Sequence, residues 1–480
     1  MDFLRCLKIH RTYPSFVLLL WFSIQTGCVS QYSKHLSDMR QDFYQGRTAV
    51  ALQKTAERQE EASAQEQDLL ALNAAIVELS RGDSASAEQK LRTVRNHFDD
   101  IENQSLQQGA EKLLSYWTDD NRRSYEGEDY EKVLIRSFLA ISNLLQQGDD
   151  AQAYSYQISQ KQREIIERGA VLASTKDGMD TQDGSQGKKP ENPKLAYKQV
   201  VLGAYLEGLL WESTWLNQSD AAMAYQKVAD WAPDFAEGGE SLRRAQTSVP
   251  AKSGNGVVYV FALVGRGPYK VQERAEATST ALLIADRIFS AVNQHSVPPT
   301  VAPVLIPAIR CEACPVQSVQ IRMDGQHIAS TETILDVNRM ATEQFAAIRD
   351  QVIARAVIRR IVKKGTLYAA KDIGNVNGWV SLAMDVGGVV WEATETADTR
   401  CWGLLPAQIQ VARLELPEGD HLLSLRSCGY GRASDGSPYQ TTIRVTAGQN
   451  AYLLANFPDQ TLTGQIVVSE NARSVNVPSN

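Results

Sequence analysis

Apolar residues in the first half of the chain recur at intervals of three and four, whereas in the last third they alternate or run together. Leu69, Leu70, Leu72, Ile76 and Leu79, followed by Leu91 and Val94, mark two amphipathic helices. Between them, Arg81-Gly82-Asp83 supplies a Gly to end one helix and an Asp to cap the next. The small Ala87 lets the second helix pack closely on the first. The same Gly-x4-Ala spacing recurs from Gly46 to Ala51 and from Gly148 to Ala153. A related helix carries Ala221, Tyr225 and Val228, and Pro233 stops it.

These alanines stand 36, 66 and 68 residues apart, close to one, two and two units of an about 34-residue helical hairpin. The pattern resembles tetratricopeptide (TPR) repeats, with degenerate units near positions 121 and 187. Residues 28–250 therefore read as an all-α, TPR-like helical hairpin array. Stacked hairpins of this kind form a superhelix whose concave groove binds peptides or proteins. Residues 174–194 lack an apolar cluster and are expected to form a mobile loop.

After the linker Pro250 to Gly256 the texture changes. Val257 to Val264 is a continuous apolar run and predicts a buried strand. Residues 272–293 read as helix, and Val316 to Met323 as a strand ending at an Asp324-Gly325 hairpin turn. Thr342 to Lys364 predicts a helix with apolar Phe345, Ile348, Val352, Ile353, Val357, Ile358 and Ile361. Its many Arg and Lys residues suit a solvated face over a core better than a membrane surface. A further helix is expected from Val380 to Thr396. Short strands follow at Gln408–Leu414, Leu422–Arg426, Gln440–Val445 and Ala451–Phe457. Pro417-Glu418-Gly419-Asp420 resembles the turn of PEGA-type β modules. This half is thus expected to be α+β and β-sandwich-like, divided into an α+β region at 255–370 and a small β-rich module at 371–480.

The amino-terminal segment adds a location. Arg5, Lys8 and Arg11 precede an apolar run of ten residues, Ser15 to Ile24. That is too short to span a bilayer and suits a signal-peptide core. It ends in Gln25-Thr26-Gly27-Cys28, which resembles the bacterial lipobox with Gln25 where Leu is usual. Cleavage before Cys28 and acylation of its thiol are expected, with Ser30 to Lys34 as a short tether. The alternative is an ordinary secretory signal. Val29 after the cysteine favours the outer membrane, facing the periplasm, and places the helical array near the lipid with the β module further out.

Removing residues 1–27 takes away Arg5, Lys8, Arg11 and Asp2, so the formal charge of −7 becomes −9. That argues against a nucleic-acid partner. Cys311, Cys314, Cys401 and Cys428 form an even set, as suits disulfides in an exported chain. The pairs expected are Cys401 with Cys428 and Cys311 with Cys314. The Cys311-x-x-Cys314 spacing also fits a redox motif or, with the other two cysteines, a metal site. The six histidines are scattered, and no hydrolase motif is present. Neither an enzyme nor a cofactor is therefore expected.

Tyr125, Glu126, Glu128, Asp129, Tyr130 and Glu131 have two readings. They form an aromatic and acidic partner-binding surface in the groove, or they cap a helix and pack on the preceding hairpin. The stretch Tyr125 to Val133, with Ser137-Phe138-Leu139-Ala140 and Gly148-Asp149, resembles a family of bacterial outer-membrane lipoproteins. Gly265-Arg266-Gly267-Pro268, Ala397-Asp398-Thr399-Arg400-Cys401-Trp402 and Leu405 to Arg413 extend that resemblance over most of the chain. It implies a TPR-like helical half, a PEGA-like β-rich C-terminal half and an envelope location, and it carries no activity. The function expected is that of a lipid-anchored scaffold binding a protein partner in the cell envelope. Two alternatives remain open: binding of peptidoglycan or polysaccharide through Trp379, Trp391, Trp402, Tyr430 and Tyr439, and thiol oxidoreduction at Cys311 and Cys314.

Overall fold

The computed structural model describes residues 28–107, 125–177, 200–213, 217–293, 303–373, 397–429, 432–433 and 436–473. An all-α half precedes an α+β half. The helices are α1 (Cys28–Tyr44), α2 (Thr48–Glu61), α3 (Ala64–Ser80), α4 (Ser84–Gln107), α5 (Asp129–Gln146), α6 (Ala151–Asp177), α7 (Val201–Glu212), α8 (Gln218–Trp231) and α9 (Ala236–Thr247). Each packs on its neighbours in sequence.

The turn chemistry explains several of these joints. Gly82 ends α3 with φ +88°, and the Asp83 carboxylate accepts the Ser86 N–H at 3.0 Å, as expected for a cap. Gly46, Ala51, Ala87, Ala221, Tyr225 and Val228 also behave as read: Gly46 is left-handed and the others are buried. The third spacing is corrected. At the end of α5 it is Gln147, at φ +57°, that takes the left-handed position, and Ala151 is the buried alanine while Ala153 is exposed. Gly148 instead lies against the Asn143 side chain.

The second half contains β1 (Asn255–Arg266), β2 (Tyr269–Ala275), α10 (Ser279–Asn293), β3 (Val304–Arg310), β4 (Ser318–Met323), β5 (Gln326–Ser330), β6 (Glu332–Asp336) and α11 (Val337–Ile373). After these come β7 (Pro406–Pro417), β8 (Gly419–Gly429), β9 (Arg432–Ala433), β10 (Tyr439–Val445), β11 (Asn450–Phe457) and β12 (Val467–Val468). A first sheet has the order β12-β11-β1-β7-β6 and a second β10-β8-β4-β5, with β9 on β8. The β2–β3 pair stands apart and packs with α10 and α11 around Ile306, Ile353, Val357 and Ile358.

This topology corrects the division at residue 370. β1 runs parallel to β11 and antiparallel to β7, and β4 pairs with β8, so both sheets are built from both proposed regions. Helix in 272–293 begins only at Ser279, because Tyr269 to Ala275 pairs with β3. The Pro417 to Asp420 turn is not a hairpin turn. It carries the chain from the first sheet to the second.

β1 explains the layering. Its continuous apolar sequence is buried on both faces. Val258, Val260, Ala262 and Val264 pack on Val319, Ile321, Leu423, Leu425 and Ile443 of the second sheet. Tyr259, Phe261 and Leu263 join Ile409, Val411, Tyr452 and Leu454 in one core with the helices. Helices α3 and α5 touch β11, and α7 touches β6. The molecule is therefore helix layer, sheet, sheet. One side of the helix layer is covered by the chain's own first sheet.

Other expectations fall partly or wholly outside the described residues. These are the signal peptide 1–27, the degenerate repeat units, the helix at 380–396, and Trp379, Trp391 and Tyr430. Of the predicted 174–194 loop, 174–177 belong to α6 and the remainder is outside. Among the described residues, no helix is long and apolar enough to cross a membrane.

Candidate functional site

Tyr125 to Glu131 forms the centre of a buried junction. Glu128 caps α5, and a capping box joins it to Glu131: the Glu131 carboxylate accepts the Glu128 N–H at 3.0 Å. The same carboxylate accepts the hydroxyl of Tyr125 and, at 3.4 Å, that of Tyr130. It also accepts the backbone N–H of Trp402 at 2.8 Å. Tyr125 packs edge-on against Phe98 of α4, with ring centroids 6.0 Å apart.

Residues 397–405 lie as a strap across the helices. The Trp402 indole donates to the Leu72 carbonyl at 3.0 Å, and its ring meets Phe138 edge-on at 5.6 Å. The Leu404 N–H reaches the Asn73 side chain at 3.0 Å. Gly403 sits close to α1: a Cβ there would stand 2.8 Å from a terminal methyl of Leu36, which would have to shift. At the head of the strap, Asp398 is held by Arg400 at 2.9 and 2.7 Å.

Lys270 of β2 enters this junction and pairs with Glu128. Burial works against its charge, but Glu128, Asp398 and Glu131 outweigh it and keep the ammonium protonated. Burial raises the Glu131 carboxyl, against Lys270, which lowers it. Burial also pushes Glu128 and Asp398 upward, yet Lys270 and Arg400 respectively hold them below the ordinary carboxylate range. The neighbouring acids Glu128 and Glu131 are thus driven apart. Both oxygens of Glu131 are nevertheless occupied by donors of this chain, and the arrangement acts as a fastening.

The partner-binding reading of this segment is therefore corrected. Tyr125, Tyr130 and Glu131 are buried, Glu128 is bound to Lys270, and Asp129 faces Lys132 at 3.9 Å. Glu126 is half-buried beside them. Glu131 binds the chain's own strap, since a fully desolvated carboxylate must find its donors internally.

A second junction joins α7 to the first sheet. Glu212 accepts Arg413 at 2.9 Å, Tyr225 at 2.7 Å and Tyr259 at 3.0 Å. Both members of the ion pair are almost wholly buried, at 2% and 4% side-chain exposure. Arg413 also donates to the Pro250 carbonyl. Burial lowers its proton affinity, but Tyr259 and Glu212 more than offset that and it stays charged. Sequence reading missed this pair. A signal existed: Ile409, Val411 and Arg413 share one parity along β7, so the arginine occupies an inward position.

The expected disulfides are corrected too. Cys311, Cys314, Cys401 and Cys428 all carry free thiols. Cys401 is buried in the strap near Glu131 and Lys270, whereas Cys428 sits on β8 opposite Ser318 in the second sheet. Cys311 turns toward Thr342 at 3.6 Å, and Cys314 toward the Val316 carbonyl at 3.2 Å. Burial raises both of these thiols, opposite to what a catalytic nucleophile needs. Among the described residues, no three His, Cys, Asp or Glu are grouped to hold a metal. The sugar-stacking reading loses Trp402 to the core and Tyr439 to an edge-on contact with Phe457 at 5.9 Å.

No protein-family model, curated protein or solved structure matches the chain.

Proposed function

We propose that this chain is a non-enzymatic, lipid-anchored protein of the cell envelope that is acylated at Cys28 and engages a protein partner. In this reading its helix layer is a TPR-like hairpin array closed on its own β-sandwich. The observation that carries it is how soon after Cys28 the core is reached. Cys28 lies in α1, and Leu36, Met39 and Phe43 of the same helix are already core residues. The tether expected at Ser30 to Lys34 is thus part of a helix, and a lipid on Cys28 would hold the body directly against the membrane.

The same helix changes the expected order of parts along the membrane normal. The Arg40 guanidinium lies 4.8 Å from the Tyr269 ring of β2, and Tyr44 donates to the Gly403 carbonyl at 3.4 Å. The anchor helix is fixed to both halves, so the β-rich half is not a distant module. With the inner helix face covered, partner contact falls to the outer face of α4 and α6. There Tyr156 is 46% exposed, and Arg95 holds Gln157 at 2.9 Å.

The test has two arms in intact cells. Cys28→Ser should move the protein out of the membrane fraction, and a photocrosslinker at Tyr156 should capture a discrete envelope protein while one at Tyr130 does not. Unchanged fractionation would remove the anchor, and equal capture from both positions would remove the outer-face partner.

A further inference from the structure

The outer face of the second sheet is not used by either junction. Val319 and Ile321 of β4, Leu423 and Leu425 of β8, and Ile443 and Val445 of β10 fill the core between the two sheets. Side chains alternate along a strand, so Gln320 and Arg322, Ser424 and Arg426, and Gln440 and Arg444 point outward. Leu422, on the same side of β8, is 41% exposed, so solvent reaches this face. Among the outward positions of β4, β8 and β10 only Asp420 is acidic, and Arg444 already holds it at 2.9 Å. Three arginines thus stand against one carboxylate on a chain whose formal charge is −7.

The register brings the other two arginines together. Arg322 pairs with Ser424, and Gln320 with Arg426. The arginines therefore lie on a diagonal, about 7–8 Å apart at the backbone. Gln440 completes the row across Ser424. The Arg322 Nε donates to the Gly325 carbonyl at 3.0 Å, and the Arg426 Nη2 to the Gly436 carbonyl at 2.7 Å. Each guanidinium is held by a backbone carbonyl and by no carboxylate among the described residues. One is drawn toward the β4–β5 turn and the other toward the start of β10, so the two are splayed. Both keep donors to spare, and the buried Arg426 Nε has no acceptor among the described residues.

We propose that this face binds an acidic glycan laid across the strands. Arg322 and Arg426 each take one of its acid groups, and Gln320, Ser424 and Gln440 bond its hydroxyls. A planar guanidinium offers a carboxylate or phosphate two parallel N–H donors. One already held by a backbone carbonyl loses little freedom when it binds. Splayed arginines do not meet on a single anion, so they suit a polymer with spaced acids. Between them the face presents amides and a hydroxyl, which match a chain rich in hydroxyls better than an acidic peptide. Recognition is by ion pairs and hydrogen bonds and needs no aromatic platform. It is independent of the anchor and of the protein partner proposed above.

The experiment is native affinity electrophoresis of the full chain through gels containing polygalacturonate, neutral dextran or polyglutamate. Polygalacturonate should retard the protein, dextran should not, and polyglutamate should act far more weakly. Arg322→Gln and Arg426→Gln should each weaken retention by polygalacturonate about tenfold, and the double variant should abolish it. Arg339→Gln removes the same charge from α11, where Arg339 is paired with Glu343 at 2.7 Å, and should leave retention unchanged. Unaltered thermal melts of the two single variants show that the loss is one of binding. Equal retention by dextran would mean that the acids are not read, and equal retention by polyglutamate that any polyanion serves. Either result, undiminished retention of the double variant, or an equal loss in Arg339→Gln would overturn the proposal.

Discussion

The carboxylate of Glu131 accepts the backbone N–H of Trp402 at 2.8 Å, and by that bond the start of α5 is tied to a strap entering from the last third of the chain. Glu131→Ala leaves the buried Trp402 and Glu128 N–H groups and the Tyr125 hydroxyl without their acceptor. The expected loss is about 3 kcal/mol or more. Glu131→Gln keeps one acceptor oxygen and should cost clearly less. Urea denaturation of the three proteins measures both, and equal midpoints would show that the carboxylate does not fasten the strap.

The Glu212–Arg413 pair gives a second expectation. Arg413→Leu strands a buried carboxylate and is expected to destabilise by about 3–5 kcal/mol. Adding Glu212→Gln should restore part of that loss, because the uncompensated charge is then gone. A double-mutant cycle reads the coupling directly, and strict additivity would contradict it.

The acids of the strap junction predict opposite responses to pH. Asp398 is depressed below its ordinary value of 3.8. Its stabilising contribution is therefore present above that value and lost as pH falls through the lower folded one. Glu131 is raised above its ordinary 4.5, so its contribution is full below that value and declines as pH rises through the folded one. Denaturation midpoints measured between about pH 3 and pH 7 should show a shallower acid limb in Asp398→Asn. In Glu131→Gln the decline at higher pH should disappear. A parallel displacement of both curves would refute the assignment.

Gly464 makes a steric prediction. It has φ +80°, and a Cβ there would collide with the Ser80 carbonyl oxygen at the end of α3. That carbonyl accepts the Gln465 N–H at 3.0 Å. Gly464→Ala should therefore cost about 1–3 kcal/mol. Gly448→Ala, at φ +72° with open space around it, should cost only about 1 kcal/mol of backbone strain. Thermal melts of the pair separate collision from strain.

What the sequence reveals depends on whether the cause is local. The Asp324-Gly325 turn is legible because both residues must be left-handed, and both are, at φ +50° and +81°. The Gly82 turn and the capping role of Glu128 are legible for the same reason. Strand pairing is not local. Nothing near Val257 announces that its partners are Asn450 and Glu415, so a boundary drawn from composition cuts through both sheets. The acids at 125–131 were ambiguous because capping and recognition ask for the same residues. The ambiguity ends only when Trp402 arrives as the donor. The Gly148–Ala153 spacing misled because Gln147 tolerates the left-handed turn in place of glycine.

The parallel pairing of β1 with β11 also sets an order of events during synthesis. A chain made amino end first completes α3, α5 and α7, then β1, well before either neighbour of β1 exists. Until Pro406 to Phe457 emerge, the apolar faces that later meet in a common core have nothing to cover them. Such long-range closure slows folding and leaves adhesive surface in transit. Truncation anywhere before β11 should therefore yield an aggregating product instead of a smaller folded one, as read by light scattering.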